Sequence, residues 1–556
     1  MAAQMGGKPV YILSEGARRI RGRDARRMNI MVARVIAEAV RSTLGPKGMD
    51  KMLVDTTGDI VITNDGAAVL KSVDVKHPAA KMMVEVAKSQ ENAVGDGTTT
   101  AVVLAGELLK KAEDLLDKGI HATIITRGYR MAEEETLAIL KKLGKKVREG
   151  DKELLTRVAL TALSAKMPGV SAKEHIASMA VEAVMAVAQK VNGEVRIDKD
   201  DIKIQKHMGE GVGDSFMVKG IVLDKEKLHP RMPDRVSRAR LALVKSELKV
   251  KKTETDAKFN ITSPEAMQSF MEEERQSLKK MAEDVAAAGA NVLMCQKDID
   301  DLVGYYLAKE GVLAVKNVSE GDMKLIAKAT GGSVVSAAKD ITAESLGTAS
   351  EVSEKKIAGK TFVFIEGCRN PRAVTLFVRG GTEHITDEVE RSLDDALSVV
   401  KDVLELTYVL PGGGACEVEV AHRLRDYAEK ISGREQLAIL EFANAIETIP
   451  RIIAENTGLD PIDVLIELRA THERGRKAAG VDIASGKAVD MYRRGIVEPL
   501  KVKTQVVKTA TETANMILRI DDVIAAKGAL GEKEEEASSG SGAPCGPSCG
   551  PGGMPM

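Results

Sequence analysis

No tryptophan occurs among the 556 residues and aromatic side chains make up only 3% of them, so stacking platforms for bases or sugars are scarce. Aliphatic residues, alanine and 24 methionines must fill the cores instead. An excess of charge of one sign is also missing. Lys+Arg 81 against Asp+Glu 82 leaves a net −1, which excludes the broad positive field that draws a chain onto nucleic acid or an anionic bilayer. No apolar run approaches the ~18 residues that span a membrane. The stretch Met1 to Ile12 lacks a basic segment followed by an apolar core and a cleavage site. Cysteine is sparse: of five, Cys295, Cys368 and Cys416 are widely scattered and build no disulfide framework. These absences lead to the expectation of a cytoplasmic protein in a reducing compartment, with neither nucleic acid nor membrane as a partner.

What is present is ample for folding. Hydrophobic content is 44%, and the length implies several domains. From Ala17 to about Leu44 the chain is predicted helical, with Ile20, Met28, Met31, Val32, Val35, Ile36 and Ala39 as its apolar stripe. Its basic preamble, Arg18 to Arg27, is read as a charged face that pairs with a neighbouring subunit or an acidic helix. Two β-like runs, Met52 to Asp55 and Ile60 to Thr63, lead into the turn Asn64-Asp65-Gly66, and helical periodicity resumes from Thr98 to Lys118. In the middle, short β-rich runs alternate with helical stretches, which implies an α/β layer. There Ser263-Pro264-Glu265 is a strong start for a helix reaching about Ala288. Helical pattern then returns, as in Glu435 to Ile449, and continues in a final helix ending near Ile524. Beyond Ala529 the composition turns to Gly, Glu, Ser and Pro, expected to form a flexible tail in which Cys545 and Cys549 alone cannot close a four-ligand metal site.

The most informative motif is Gly95-Asp96-Gly97-Thr98-Thr99-Thr100 at a helix start. Glycines admit a close ligand, the helix N-terminus offers unpaired N–H donors, and three hydroxyls add more. Asp96 would repel a bare phosphate but suits Mg²⁺ lying between carboxylate and phosphate oxygens. A turn that merely caps a helix would look the same, and the Walker sequence Gly-x-x-x-x-Gly-Lys-Ser/Thr is absent. Leu44-Gly45-Pro46-Lys47-Gly48 has the form of a helix stop. Pro411-Gly412-Gly413-Gly414, ahead of a helical segment, is either a linker or a backbone cradle for the sugar or base of a nucleotide.

Taken in register with Thr63-Asn64-Asp65-Gly66, Gly380-Gly381-Thr382, Val481-Asp482 and Gly495-Ile496-Val497-Glu498-Pro499, these motifs follow the order found in chaperonins. The sequence resembles a group II chaperonin subunit of the archaeal thermosome type, over nearly the whole chain. The resemblance implies an α+β multidomain fold. A mainly helical equatorial ATP-binding domain would take 1–151 and 410–531, and a small intermediate hinge domain 152–219 and 376–409. An α/β apical domain would take 220–375, with a helical lid protrusion at about 250–280, and the tail 532–556. It further implies an ATP-dependent chaperone whose subunits, alike or paralogous, form two stacked rings of about eight and enclose non-native polypeptides. ATP and Mg²⁺ would be its cofactors, with K⁺ a further candidate.

Carried over by residue, the resemblance places Leu44, Gly45 and Pro46 on the nucleotide, Asp96 on Mg²⁺, and Gly97, Thr98, Thr99 and Thr100 around the phosphates. Asp65 would lie beside the γ-phosphate, Lys166 would sense it, and Asp395 would position or deprotonate the attacking water. Gly413 and Gly414 would approach the ribose, with Asp482 and Glu498 near base and sugar. Read from the residues alone, Asp395 points away from a stripe of Ile385, Val389, Leu393, Ala396 and Val400, as a merely solvated acid would, and Asp394 competes for its role. Met267, Phe270 and Met271 are candidates for binding polypeptide, the alternative being a packed helix face. A small-molecule kinase using the same Mg·ATP site, or a scaffold whose glycine motifs are only turns, would be the competing functions.

Overall fold

The structure, a computed structural model, describes residues 2–5, 8–11, 18–54, 57–148, 150–166, 170–250, 264–368 and 372–525. The stretch before Ser263-Pro264, the Ser263 cap itself and the tail cysteines lie outside them.

A helical body is assembled from both ends of the chain. Helix Gly22–Arg41 packs against Thr98–Asp117, and Leu500–Leu518 packs against Thr98–Asp117, Ala122–Leu143 and Pro78–Val94. One continuous core of Ala, Val, Leu and Ile runs through them. Burial of that apolar area is what holds terminal segments hundreds of residues apart in one unit. The first helix differs from its expectation in two ways. Arg18–Arg21 is a strand, paired antiparallel with Asp522–Ala525, so helix begins only at Gly22 and the last helix ends at Leu518 rather than near Ile524. Its buried face is also rotated. Ala25, Ile30, Ala33, Ile36, Ala37 and Val40 face inward, while Met28, Met31 and Val35 are exposed. The helix crosses Thr98–Asp117 where Ala37 meets Gly106, too close for a longer side chain on either surface, so small residues won the contact. The basic preamble is a paired face: Arg23 and Arg27 reach Asp117 at 2.7 and 2.8 Å, and Arg34 reaches Glu113 at 2.9 Å.

The middle of the chain forms a seven-stranded mixed sheet. Gly220–Leu223, Lys360–Cys368, Gly347–Ile357 and Arg235–Val244 are successive antiparallel neighbours, and Val292–Cys295, Leu313–Val315 and Val334–Val335 add in parallel. The parallel strands need crossovers, and helices Pro264–Ala287 and Asp301–Lys309 supply them. Alternate residues feed the two faces. Ala242, Val244, Leu293 and Cys295 pack under those helices, while Leu241, Leu243, Val292 and Met294 pack toward Glu320–Thr330.

Between the two bodies lies a three-stranded sheet in which Val374–Gly380 runs between Phe216–Val218 and Ile202–Met208. Helix Glu383–Leu406, capped at its start by Thr382, follows directly. It packs on Lys152–Leu163 and Val170–Val187 and reaches Leu500–Leu518 of the helical body. Val389, Leu393, Ala396 and Val400 are buried as expected, but Ile385, in the first turn, is exposed.

Candidate functional site

A cavity of about 520 Å³ opens where the helical body meets the helix Lys152–Leu163 and its trailing loop. Its size is in the range of small-ligand pockets. Leu44, Gly45 and Pro46 form one wall, following the end of helix Gly22–Arg41 and held by Asn456, whose Nδ2 donates to the Arg41 and Leu44 carbonyls at 3.1 and 2.8 Å. Gly97, in the left-handed region at φ 78°, turns the backbone into helix Thr98–Asp117. A Cβ there would meet Val502, Val506 and Gln90 at 3.0–3.2 Å, so glycine lets the helix start sit flush at the cavity edge. Thr98, Thr99 and Thr100 follow, and no side chain caps the N–H groups of that first turn.

Two acids flank this helix start. Asp65 caps the short helix Gly66–Ser72 through a 2.8 Å bond from the Ala68 N–H, and its other oxygen accepts from the Thr98 hydroxyl at 3.2 Å. The turn Asn64-Asp65-Gly66 therefore begins a helix after the hairpin Lys51–Val54 and Ile60–Thr63 has closed. Asp96 accepts from the Gly97 N–H at 2.7 Å. Asn64, on the cavity lining, keeps a buried Oδ1 without a protein hydrogen-bond partner.

From a different part of the chain come Lys166 and Asp395. The Lys166 ammonium is ion-paired with Asp395 and lies 4.0 Å from Asp65, with all three side chains largely buried. Asp395 is therefore not a solvated acid. Asp394, its neighbour, is half exposed and bonds Lys199 at 2.7 Å, so helix geometry separates the competitors. Lys166 touches the cavity directly, and Asp395 stands one ion pair behind it.

The far side is apolar, lined by Ile449, Ile453, Val481, Ile483 and Ile496, with Gly413 and Gly414 at its margin. Gly412-Gly413-Gly414 is not a linker: it joins strand Tyr408–Pro411 to helix Ala415–Ala428, of which Gly414 is the N-cap. Glu498 lines the cavity from strand Val497–Pro499. Asp482 does not. Its carboxylate accepts from Ser485 at 2.6 Å and Arg494 at 2.8 Å, so Val481 and Ile483 present the wall while Asp482 braces the turn behind it. The Ser485 hydroxyl, with Arg494, holds the Asp482 carboxyl below the usual range.

Polar residues of the lining that the sequence reading assigned no role include Thr43, Asn64, Arg157, Arg494 and Lys503. Lys503 is buried, 2.7 Å from Glu417 and 2.6 Å from Glu498. Nothing in the local sequence marks it, since a lysine within a helix is ordinarily solvated. Met267, Phe270 and Met271 sit far from the cavity in sequence, on helix Pro264–Ala287, and are 54%, 50% and 60% exposed.

A nucleotide with a divalent cation fits this arrangement. Hydroxyls, a helix N-terminus, Asp65 and Asp96 gather at one end, and an apolar slot forms the other. Among the described residues no group of three or more His, Cys, Asp or Glu side chains forms a metal site by itself, so a cation here would need phosphate oxygens as co-ligands.

Comparison with known proteins gives consistent relatives. The family model described as the TCP-1/cpn60 chaperonin family matches residues 36–528. Thermosome subunit alpha of Archaeoglobus fulgidus is 56% identical over 538 residues, covering 97% of this chain and 98% of the relative. A thermosome subunit of Pyrococcus horikoshii is 53% identical over 539 residues, covering 97% and 98%. One of Methanopyrus kandleri is 56% identical over 522 residues, covering 94% and 95%.

Proposed function

Because this chain belongs to the TCP-1/cpn60 chaperonin family, we propose that its cavity binds and hydrolyses Mg·ATP and that hydrolysis drives a group II, thermosome-like folding chamber. The observation that carries this reading is the meeting of Lys166 and Asp395 with Asp65 and the Thr98–Thr100 helix start at one cavity. Phosphoryl transfer to water needs positioning and charge neutralisation more than covalent chemistry, and these groups supply both.

The roles divide by position. The N–H groups and hydroxyls of Thr98, Thr99 and Thr100 hold phosphate oxygens, and Leu44, Gly45 and Pro46 close over them. Asp96 carries the cation, which when bound neutralises phosphate charge and polarises the terminal phosphorus. Gly413, Gly414 and Glu498 adjoin the sugar, and the Ile449, Ile453 and Ile483 slot takes the base. Asp395 orients or deprotonates water once Lys166 is drawn from it toward the terminal phosphate. Lys166 then exchanges one anionic partner for another, so catalysis waits on the triphosphate end of the substrate. Asp482 acts here by bracing the wall rather than by contact.

We divide the chain as the resemblance implies: 1–151 with 410–531, which include the helical body, are the equatorial domain. Residues 152–219 with 376–409, which carry Lys166 and Asp395, are the intermediate domain, and 220–375 the apical domain. Closing the intermediate domain over the cavity and completing the catalytic set are one event. Met267, Phe270 and Met271 offer flexible apolar contacts to non-native chains on the protrusion. Exposed Met28, Met31, Val35, Met52 and Val54 on the helical body are suited to burial between subunits, alike or paralogous, in two stacked rings. Among the described residues no helix is long and apolar enough to cross a membrane.

The test is phosphate release from Mg·ATP with no acceptor, measured beside particle size. Acceptor-independent turnover by a double-ring particle supports the reading. Turnover only with a small-molecule acceptor would identify a kinase, and a compact monomer indifferent to ATP would leave a scaffold.

A further inference from the structure

Lys503 is an unusual neighbour for a nucleotide cavity. It lies on helix Leu500–Leu518 with its ammonium about nine-tenths buried, shared between Glu417 at 2.7 Å and Glu498 at 2.6 Å. Both acids are drawn from other segments, Glu417 from helix Ala415–Ala428 and Glu498 from strand Val497–Pro499. Burial opposes the Lys503 charge, but Glu417 and Glu498 outweigh it and hold the ammonium protonated well above its ordinary range. Burial and the neighbouring Glu417 push the Glu498 carboxyl above its ordinary range against the pull of Lys503, so the cluster favours a polar group that completes it.

The two carboxylates are not equivalent. Glu417 faces the core, where its second oxygen accepts from the Cys416 thiol at 3.1 Å. Glu498 faces the cavity. Lys503 engages its Oε2, and Oε1 is turned toward Gly412, where a Cβ would approach it to 2.9 Å. The glycine at 412 thus leaves room for an acceptor oxygen at the margin where Gly413 and Gly414 also lie.

We propose that Lys503 is a positioning residue of the nucleotide site, clamping Oε2 of Glu498 so that Oε1 stands as a fixed, charged acceptor for the vicinal hydroxyls of a ribose. This rests on the nucleotide reading given above and deepens it: the cluster makes the site selective for ribonucleotides. A freely rotating Glu498 would lose part of that acceptor geometry. Without the ammonium, Glu417 and Glu498 would also repel each other, and one would take up a proton, leaving a poorer acceptor.

The experiment is equilibrium binding of Mg·ATP and of its 2′-deoxy and 3′-deoxy analogues to the assembled full chain, by calorimetry. The wild type is expected to favour ATP by about tenfold, as suits a hydrogen bond to a charged group. Lys503→Met should still bind all three, with the preference reduced to about twofold. Glu417→Gln breaks the same cluster but leaves Lys503 on Glu498, and should keep the preference. A Lys503→Met protein that retains full selectivity overturns the proposal, and so does a Glu417→Gln protein that loses it as completely, since both point to a packing role alone. A wild type with no ribose preference also overturns it. Should Lys503→Met not assemble, the near-isosteric Glu498→Gln decides, with loss of preference expected and its retention fatal. Failure of the wild type to bind any of the three nucleotides is a different result and sinks the nucleotide reading itself.

Discussion

The Lys166 ammonium is ion-paired with the Asp395 carboxylate, 229 positions further along the chain, and the same ammonium approaches Asp65 at 4.0 Å. A carboxylate held by an ammonium is a poor base, so on the proposed reading this contact is a resting arrangement in which hydrolysis is restrained until a competing anion reaches Lys166. Asp395→Ala is expected to lower turnover by about 10²–10⁴, the usual worth of a general base, while leaving ATP affinity within a few-fold. Single-turnover phosphate release with parallel binding measurements checks it. Near-normal turnover would remove Asp395 from its role.

Lys166 itself should distinguish nucleotides by their terminal phosphate. With Lys166→Ala, the ratio of ATP to ADP affinity is expected to fall by about tenfold, because a charge-assisted contact to the last phosphate is lost while the rest of the site stays intact. An unchanged ratio would place Lys166 outside phosphate recognition.

Cation dependence should trace to Asp96. Chelation of divalent metal is expected to abolish turnover and added Mg²⁺ to restore it. In Asp96→Asn the Mg²⁺ concentration for half-maximal rate should rise by tenfold or more, because a neutral amide is a weaker ligand than a carboxylate. A titration of rate against free Mg²⁺ reads this directly, and a superimposable curve would contradict the assignment.

Asp402 couples helix Glu383–Leu406 to the helical body through Lys501 and is expected to set a pH dependence. It lies two turns beyond Asp395, almost fully buried, with Oδ1 on Lys501 at 2.6 Å and Oδ2 without a partner. Burial raises its carboxyl to about 6, against the pull of Lys501. Between the ordinary carboxylate value of 3.8 and about 6 the folded chain holds a proton there that the unfolded chain has released, so this group's contribution to stability is full below 3.8 and is lost as pH rises through about 6. Asp402→Asn should remove this dependence. Urea midpoints at pH 5 and 7.5 for both proteins test it. An identical pH slope in the variant would show that another group is responsible.

Polypeptide capture should depend on the exposed apolar residues of helix Pro264–Ala287. Replacing Met267, Phe270 and Met271 together with serine removes three half-exposed apolar side chains and is expected to weaken suppression of aggregation of a denatured test protein several-fold. ATP turnover without polypeptide should be unaffected. Undiminished suppression would move the capture surface elsewhere.

Much of this architecture was legible in the order of residues because it depends on local rules. Gly97 and Gly119 bound a helix from Thr98 as their types require. Leu241 to Val244 and Asn291 to Cys295 marked strands by β-rich runs, and Pro264 marked a helix start. Other features misled for an equally physical reason. Met28, Met31 and Val35 outrank alanine in hydrophobicity, yet the neighbouring helix crosses too close for them, so the small residues were buried instead. The strand Asp522–Ala525 exists only because Arg18–Arg21 is beside it, and pairing partners some five hundred residues apart leave no periodic trace.

The sequence by itself determined the helical and β-rich stretches, the phosphate-sized turn at Gly95 to Thr100 and the kinship that orders the glycine motifs. Only the tertiary structure decided which acid of Asp394 and Asp395 faces Lys166, why Asp482 braces the wall without touching the cavity, and that Lys503 is buried between two carboxylates. Caps, turns and periodicities act over a few residues and are written into neighbouring positions. An ion pair or a cavity wall depends on which faces of distant helices meet, and that is settled by packing the whole core.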